Sequence, residues 1–430
     1  MATNTTKKKP FSDDYLEKLI DATFDGKRTY CKFLSANDTK KTKGHQNGIL
    51  ITKNAEPFLR KDTMRLVPNR EGKPNIYERF VSVTFFKKDN DEPEKRNKVR
   101  FVYYDSKREF RITRIPRIDE DSAGSLFVLI QQKLDEYQAY FLDSERDCKE
   151  YLNVFGYSPL ETNAVINEGD LPTGERIFIE KYIESLNEEE IEFPEAGDIA
   201  KEARKMYDET RSEKGKELSE DKMLVGWLRS EYNIFKSIED DRYRDYVEKP
   251  LGKVRRFIHV ANTVLNRRKS RAGKSLELHL FELFHELKKL DVEPQAITEK
   301  KHKPDFLFPS QKAYLRASEE AGAQKDKARA VKKYGIVVLA AKTTCKDRWR
   351  QILDEADLLD GGERYLFTLQ PGISTNQLKD MKSKNVILVV PQSIKKHYPI
   401  EYRKDILSLN EFISKVKNIQ KNAEKVETPN

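Results

Sequence analysis

The chain has 430 residues, of which 37% are hydrophobic and 36% charged, and its formal net charge is +9. This length allows two or three domains with separate cores. The basic excess favours a polyanionic partner such as nucleic acid without requiring one. Three widely spaced cysteines form neither a disulfide framework nor a zinc-ligand pattern. No apolar run reaches the length of a membrane span or of a secretion signal, so we expect a soluble, cytoplasmic protein that does not bind membranes.

The N-terminal part of the chain is predicted to consist mainly of β-strands. Val81, Val83 and Phe85 alternate with polar residues, as half-buried antiparallel strands of a barrel or sandwich do. Residues 125–140 begin with an apolar run that fits either a strand or a helix. The four clearest strand segments, separated by Asn, Asp, Gly, Lys and Pro, are residues 29–35, 48–52, 79–86 and 99–104.

A change in composition near the middle of the chain suggests a domain boundary. Residues 187–198 are acidic and contain Pro and Gly, which is typical of a linker, and residues 201–220 are predicted to form a solvated, charge-rich helix. We therefore expect an α+β protein of two domains. The predicted division is an N-terminal domain at residues 1–186, a linker at 187–215 and a C-terminal domain at 216–430.

Strands and helices alternate in the C-terminal part, which predicts an α/β sheet with helices on both faces. Two helices come first, and the second of these is expected to start near Gly273 and Ser275. A long loop, residues 311–333, is predicted inside the α/β region. The predicted helices are residues 222–247, 275–290, 348–359 and 375–382, and the predicted strands are residues 305–308, 336–342, 365–370 and 386–391.

Three charged residues in this region have the chemistry of a phosphodiesterase site. Asp305 follows Pro304 at the head of one strand, Lys342 ends the next strand, and Glu355 lies on the following helix. Two carboxylates suit Mg²⁺, which polarises a phosphate and lowers the pKa of bound water, while a lysine can contact the phosphate and the attacking water. A generic α/β protein with a surface lysine and scattered acids is the alternative interpretation.

Four strings in this order, HKPDFLFP, VVLAAKTTCKDRWRQILDEADLL, YLFTLQPGISTNQ and VILVVP, resemble the catalytic domain of the EcoRII restriction endonuclease family, from about residue 275 to 407. The wider PD-(D/E)xK nuclease pattern has an acid where Ala340 stands, but in the EcoRII branch that acid lies thirteen residues after the lysine, where this chain has Glu355. The resemblance implies a restriction-endonuclease-like fold with a central mixed sheet. It implies Asp305 and Glu355 as Mg²⁺ ligands, Lys342 as a catalytic residue, and Glu277 as a further active-site acid. A solvated helix face is the alternative for Glu277.

The same resemblance assigns DNA contacts to the catalytic domain. Lys346, Asp347 and Arg348 match the family's base-reading cluster, and such side chains suit C·G pairs because lysine and arginine donate to guanine and a carboxylate accepts from cytosine. The alternative is ordinary charge at a helix N-terminus. Relatives also flip bases onto aromatic or arginine side chains, for which Arg229 and Tyr232 are candidates. A core aromatic stripe, with Trp227 and Phe235, is the stronger interpretation there.

Residues 30–52 and 107–114 resemble the family's N-terminal effector domain, a DNA-binding β pseudobarrel shared with plant transcription factors. In that domain two arms enter the major groove. Lys43 replaces a glycine of the family and Phe110 a basic residue, so the sequence preference can differ, and basic loops that only solubilise a barrel are the alternative. The residues implied as base or phosphate contacts are Ser35, Asn37, Asp38, Lys43, His45, Lys107, Glu109 and Arg111.

These features together predict a type IIE restriction endonuclease that cleaves double-stranded DNA with Mg²⁺ at a short palindrome flanked by C and G, such as CCWGG. The catalytic domains are expected to form a homodimer, because a palindrome presents the same chemistry on both strands. The N-terminal domains are expected to bind further copies of the site as an allosteric effector. A host needs a companion DNA methyltransferase, which is not a binding partner. The alternatives are a DNA-binding regulator with an inactive nuclease domain and a nicking or repair nuclease.

Overall fold

The chain folds into two compact units, one made of most of residues 1–168 and the other of most of residues 169–430. None of the helices described is both long and apolar enough to cross a lipid bilayer. The computed structural model describes residues 12–39, 48–52, 55–68, 74–88, 92–166, 171–186, 193–211, 218–249, 252–298, 302–346, 349–354, 359 and 362–423.

The first unit is built on a curled, mixed sheet. Its strands lie in the order β2-β6-β5-β4-β8-β7-β1-β9, and β3 pairs with β4. Neighbours are antiparallel except β4 and β8, which are parallel and depart from the purely antiparallel sheet that the sequence suggests. The strands are Arg28–Phe33 (β1), Ile49–Ile51 (β2), Arg65–Val67 (β3), Ile76–Phe86 (β4), Glu94–Tyr104 (β5), Glu109–Thr113 (β6), Leu126–Lys133 (β7), Glu136–Leu142 (β8) and Ala164–Val165 (β9).

Both faces of this sheet bury apolar side chains. One face forms a core around Tyr30, Phe101 and Phe127. The other face is covered by helices and buries residues such as Leu19 and Tyr151. All four predicted strands are confirmed, and the ambiguous segment 125–140 is the β7–β8 hairpin rather than a helix. The helices of this unit are Ser12–Asp25 (α1), Glu56–Leu59 (α2) and Glu145–Val154 (α3).

The second unit begins with a group of packed helices. Ile179, Ala203, Met206 and Ile234, from three of these helices, share one apolar core, so the segment taken as a linker contains a helix packed by its apolar face. The domain limits at residues 186 and 216 stay a prediction. The helices are Thr173–Ser185 (α4), Ala196–Thr210 (α5), Glu220–Glu248 (α6) and Val254–Phe281 (α7), the last continuing as a π-helical turn, Glu282–Leu287.

The predicted start of α7 is wrong by about twenty residues, since the helix begins at Val254 and Gly273 and Ser275 lie inside it. Phe257 and Ile258 lie on the same side of the helix as the buried residues Ser275 and Leu276, so the apolar pattern of α7 already begins near Val254. An isolated glycine costs a helix only about 1 kcal/mol, so a glycine was a poor reason to start the helix there.

A six-stranded sheet forms the rest of the second unit, in the sequential order β10-β11-β12-β13-β14-β15. β11 pairs antiparallel with both of its neighbours, β10 and β12, and β12 to β15 run parallel. The observed sheet is therefore mixed, as expected. The strands are Glu293–Pro294 (β10), Phe306–Phe308 (β11), Val337–Lys342 (β12), Arg364–Thr368 (β13), Val386–Val390 (β14) and Leu407–Ser408 (β15).

The predicted loop at residues 311–333 is wrong, because two helices occupy it. The side chain of Ser310 accepts a hydrogen bond from the Ala313 amide, and that of Asp326 from the Arg329 amide, so each helix starts with an N-cap. The helices flanking the sheet are Gln311–Gln324 (α8), Lys327–Tyr334 (α9), Thr375–Ser383 (α10), Gln392–Lys395 (α11) and Leu409–Asn422 (α12).

One buried carboxylate joins the helical group to the end of the sheet. Asp221, on α6, accepts backbone hydrogen bonds from Gln392 (2.8 Å), Leu409 (3.1 Å) and Asn410 (3.2 Å). These amides belong to the first turns of α11 and α12, where no intrahelical acceptor exists. Asp221 therefore fixes α6 against the two helices that follow the parallel strands.

Candidate active site

The pairing of β11 with β12 brings the two central predicted residues together. Phe306 lies opposite Leu339 in this antiparallel pair. Extending the register by one residue places Asp305 opposite Ala340, and Ala340 is on the same face of β12 as Lys342. The Lys342 ammonium lies 2.8 Å from Asp305 Oδ2. The register of two short strands thus assembles an acid and a lysine that are 37 residues apart in sequence.

Asp305 is held by donors from three directions. Its Oδ2 accepts a 2.7 Å hydrogen bond from the Ala341 amide in addition to the Lys342 contact. Its Oδ1 accepts a 3.2 Å hydrogen bond from Gln295 Nε2. The residue is only 6% exposed. These contacts fix the carboxylate at the carboxyl end of β12 while Lys342 stays partly exposed.

Glu277 joins this pair from α7. Burial raises the pKa of the Glu277 carboxyl, and the negative charge of Asp305 raises it further, against the opposing effects of Lys342, Gln295 and Lys274. Mutual influence of this kind requires the carboxylates to lie near each other. The structure therefore brings Glu277 to the Asp305–Lys342 pair, and does not leave it on a fully solvated helix face.

Gln295 is a site residue that the sequence did not suggest. Its side chain donates to Asp305 and bonds to Glu277, and its backbone amide donates to the Asp305 carbonyl at 3.2 Å. Its φ is +53°, a left-handed conformation that costs a residue with a side chain about 1–3 kcal/mol. A strained glutamine that touches both carboxylates positions them. A glutamine carries no sequence signal for a left-handed backbone.

The segment after Lys342 is held by the polar side chains of Gln370, which is buried, and Gln377, which is half-buried. The Cys345 amide donates to Gln370 Oε1 at 2.8 Å, and Gln377 Nε2 donates to the Lys346 carbonyl at 2.6 Å. Lys346 is half-buried at the end of this segment. Its backbone is therefore fixed a few residues from the site. Three predicted site residues, Asp347, Arg348 and Glu355, lie outside the described residues.

The donor set fits a hard divalent cation. Asp305 can supply a carboxylate oxygen, and Glu277 lies near enough that a bound cation would relieve the repulsion between the two carboxylates. Within the described parts of the chain, no three His, Cys, Asp or Glu side chains are grouped closely enough to make a metal site unaided. Two carboxylates with a main-chain carbonyl and water suit Mg²⁺, which keeps several waters when bound to proteins.

The two candidates for base stacking differ in accessibility. Arg229 is exposed, whereas Tyr232 is 5% exposed and has the Arg271 guanidinium 5.4 Å from its ring centroid. Trp227 and Phe235 are also buried on α6, which is the arrangement of a core aromatic stripe. A role of Arg229 and Tyr232 in DNA binding stays a prediction.

In the first unit, three predicted DNA contacts, Ser35, Asp38 and Arg111, are buried. The Asp38 carboxylate is paired with Lys32 at 2.8 Å and accepts hydrogen bonds from Ser35 and from the Leu50 amide. Burial opposes ionisation, but the Lys32 charge and these donors bring the pKa of Asp38 below its usual value. Ser35 and Asp38 thus tie the first predicted arm to β1 and β2. Lys32, which no motif in the sequence marks, is therefore part of this arrangement.

The other candidates of the first unit differ in accessibility. Asn37 and Lys107 are exposed. Arg111 is buried and donates to Glu109 at 3.0 Å, which orients that carboxylate on β6. Lys43 and His45 lie outside the described residues.

Comparison with known proteins gives matches over most of the chain. A profile of the family described as "EcoRII C terminal" matches residues 235–413. The "Type II restriction enzyme EcoRII" of Escherichia coli is 36% identical over 417 residues, which cover 90% of this chain and 93% of that protein. Two solved structures are also similar. Metal-depleted Ecl18kI in complex with uncleaved, modified DNA is 17% identical, with 59% of this chain and 87% of that chain covered and a TM-score of 0.43. A complex of the restriction endonuclease PspGI with substrate DNA is 16% identical, with 56% of this chain and 97% of that chain covered and a TM-score of 0.41.

The 36% identity to that type II restriction enzyme over 90% of this chain, together with the family profile, shows that the chain is a restriction endonuclease, a site-specific deoxyribonuclease. The chain belongs to the EcoRII family of type II restriction enzymes.

Proposed function

We propose that this restriction endonuclease hydrolyses DNA phosphodiesters with Mg²⁺ at a site formed by Asp305, Lys342, Glu355 and Glu277. The observation that carries the proposal is the convergence of Asp305, Lys342 and Glu277 at the carboxyl end of β12. Asp305 and Glu355, with the main-chain carbonyl beside Lys342, would hold the cation. When bound, Mg²⁺ supplies positive charge to the scissile phosphate and lowers the pKa of a water molecule.

The protein's own residues have separate tasks in this proposal. Lys342, partly exposed, donates a hydrogen bond to a phosphate oxygen as negative charge develops there. Glu277 accepts a proton from the attacking water, and its raised pKa supports this role because a base works best near the operating pH. Gln295 and the Ala341 amide hold Asp305 in place.

We further propose that Lys346, Asp347 and Arg348 read C·G pairs in the major groove, at CCWGG or a near relative. The fixed backbone at Lys346 supports this, because base-reading side chains need a rigid base close to the scissile bond. The enzyme would act as a homodimer on its palindrome and bind Mg²⁺ in each subunit.

The first unit is proposed to bind further copies of the site and to control cleavage. Exposed Asn37 and Lys107, and Glu109 oriented by Arg111, support a DNA-contacting face. Ser35 and Asp38 would act by holding the arm and not by touching bases. DNA with one site should then be cut slowly, and added site-bearing oligonucleotide should accelerate the cut.

Sequencing the ends of digested plasmid DNA tests this proposal. Wild type should cut in Mg²⁺ at one short sequence flanked by C and G, and Asp305→Ala should cut at least about 10³-fold more slowly. Asp380→Ala, which removes an exposed aspartate of the same unit, is the matched control and should cut like wild type. Equal rates for wild type and Asp305→Ala, or ends without a common sequence, would refute it.

A further inference from the structure

Helix α7 connects the active site with an exposed surface. Its buried residues are confined to its last two turns, Ser275 to Leu280, where Glu277 also lies. From Val254 to Lys274 none of its residues is buried. Five turns of this helix therefore extend beyond the buried part, in direct continuation of the element that carries an active-site acid.

One exposed stripe of α7 is in line with Glu277. Steps of three or four residues stay on one face of a helix. An added Cβ at Gly273, the first position of the stripe, would meet no atom within 4 Å, so the surface is open there. Counted back from Glu277, the stripe consists of Gly273, Lys269, Asn266, Asn262, His259 and Arg255, all of them exposed.

The exposed part of α7 is strongly cationic. Residues 254–276 contain seven arginines and lysines and no aspartate or glutamate. Arg268 is used internally, in a salt bridge to Glu239. Arg255, Lys269 and neighbouring Lys274 are exposed and, within the described part of the chain, make no ion pair. Their charge is therefore available to a ligand.

Lys274 ties this charge to the active site. It lies close enough to Glu277 to affect the ionisation of that carboxyl. The three cations thus lie at increasing distances from the site along α7, with Lys274 nearest to Glu277 and Arg255 farthest from it. We call this stripe, with Lys274, the α7 track.

We propose that the α7 track binds the backbone phosphates of the DNA duplex that flanks the scissile phosphodiester. The proposal rests on the proposed nuclease function, which places DNA at Glu277. Arg255 and Glu277 are 22 residues apart along the helix, a span of about 33 Å that is close to one turn of B-DNA. His259, Asn262 and Asn266 add neutral donors, which commonly contact phosphates.

The chemistry of the track favours DNA over a second copy of the chain. A protein partner is expected to bury apolar side chains at the centre of an interface, and none of the stripe positions is apolar. Of the exposed apolar residues of this helix, Val254 and Phe257 fall on other faces, and Ile258 alone borders the stripe.

The experiment measures affinity for duplexes that carry the mapped cleavage sequence with flanks of 3 or 15 base pairs. Binding is followed by fluorescence anisotropy in EDTA over a range of salt concentrations. The test variant is Arg255→Gln/Lys269→Gln/Lys274→Gln in the full-length enzyme. The matched control, with the same change in charge at exposed lysines elsewhere in the second unit, is Lys384→Gln/Lys417→Gln/Lys421→Gln.

Wild type and the control should bind the long-flank duplex at least about tenfold more tightly than the short one. The test variant should lose most of this gain, and its salt slope on long DNA should fall by about 1 for each lost phosphate contact. Arg255→Lys/Lys269→Arg/Lys274→Arg should keep the gain. A test variant that retains the flank gain, or a control that loses it equally, would overturn the proposal.

Two other outcomes are distinguishable. The test variant could instead dissociate into monomers in sedimentation while its remaining dimers still bind the long-flank duplex more tightly than the short one. The α7 track would then bind a second copy of the chain, and the DNA assignment would be wrong. If wild type neither cleaves nor binds DNA, the nuclease proposal fails together with the track. Wild type that cleaves at one sequence without any flank effect refutes the track alone.

Discussion

The two units contain the same pair of side chains in two different settings. In the first unit Lys32 lies 2.8 Å from Asp38, and in the second Lys342 lies 2.8 Å from Asp305. Each aspartate also accepts a backbone amide, from Leu50 at 2.8 Å and from Ala341 at 2.7 Å. The lysine side chains differ, with exposures of 6% for Lys32 and 26% for Lys342.

The surroundings of the two pairs explain why one stabilises the fold and the other suits chemistry. Asp38 receives only donors, so its pKa is lowered despite complete burial. Asp305 instead has a second carboxylate, Glu277, whose pKa is raised by burial and by the charge of Asp305. A buried ion pair with all its bonds made is inert, whereas a pair with an extra carboxylate and an accessible lysine can bind a cation and a phosphate.

The largest expected difference between the pairs is in local stability. Asp38→Asn leaves the Lys32 ammonium buried without a counter-charge, which costs about 3–5 kcal/mol. Asp305→Asn should cost much less, because Lys342 is partly exposed and Glu277 remains nearby. Hydrogen–deuterium exchange of β1 and β2 in the first variant, and of β11 and β12 in the second, measures both. Equal losses of protection would contradict the distinction between the pairs.

The same comparison has a pH dependence. The pKa of Asp38 is lower in the folded protein than its usual value of about 4. The ionised form therefore stabilises the fold, fully so above pH 4, and this contribution is lost as the pH falls through the lowered value. The protection difference between wild type and Asp38→Asn should be constant from pH 7 to about 5 and shrink below pH 4.

A smaller effect, on the rate of cleavage, is expected at Gln295, which positions Asp305 beside Lys342. Removing its amide should slow cleavage by about 10–100-fold, as the loss of groups that orient metal ligands does. Gln295→Ala and Gln295→Gly should be slowed alike, but the glycine variant should melt higher because it relieves the left-handed backbone at φ +53°. Steady-state cleavage and thermal melting separate the two effects. A glycine variant that melts lower than the alanine variant would show that the conformation is not strained.

The sequence predicted those site residues whose signals are local. Asp305 and Lys342 each stand at the end of an apolar strand, and adjacent strands bring such ends together. Gln295 could not be found in this way, because it follows a two-residue strand and acts through a backbone conformation that its residue type does not encode. Lys32 reads as an ordinary polar residue of a half-buried strand, so its buried ion pair with Asp38 could not be predicted from the sequence.

Errors in the fold have similar causes. The interpretation of residues 311–333 as a loop overlooked Ser310 and Asp326, two N-caps that the sequence does contain. The start of α7 was placed too late because Gly273 was taken as a boundary, and because no fully buried residue marks the helix between Val254 and Lys274. Hydrophobic periodicity identifies helices that pack on a core, and it misses helices that are mostly exposed.

The smallest expected effect concerns the cost of keeping two carboxylates together. Because the pKa of Glu277 is raised in the fold, its ionised form opposes folding, and this penalty appears as the pH rises above the usual value of about 4.3. Glu277→Gln should therefore melt slightly higher than wild type at pH 7.5 in EDTA. This difference in melting temperature should disappear below pH 4. Added Mg²⁺ should raise the melting temperature of wild type more than that of the variant, since the cation relieves the repulsion. A variant less stable than wild type in EDTA at pH 7.5 would show that Glu277 is held by contacts favouring its charge. The surroundings of the Lys342–Asp305 pair would then resemble those of the Lys32–Asp38 pair.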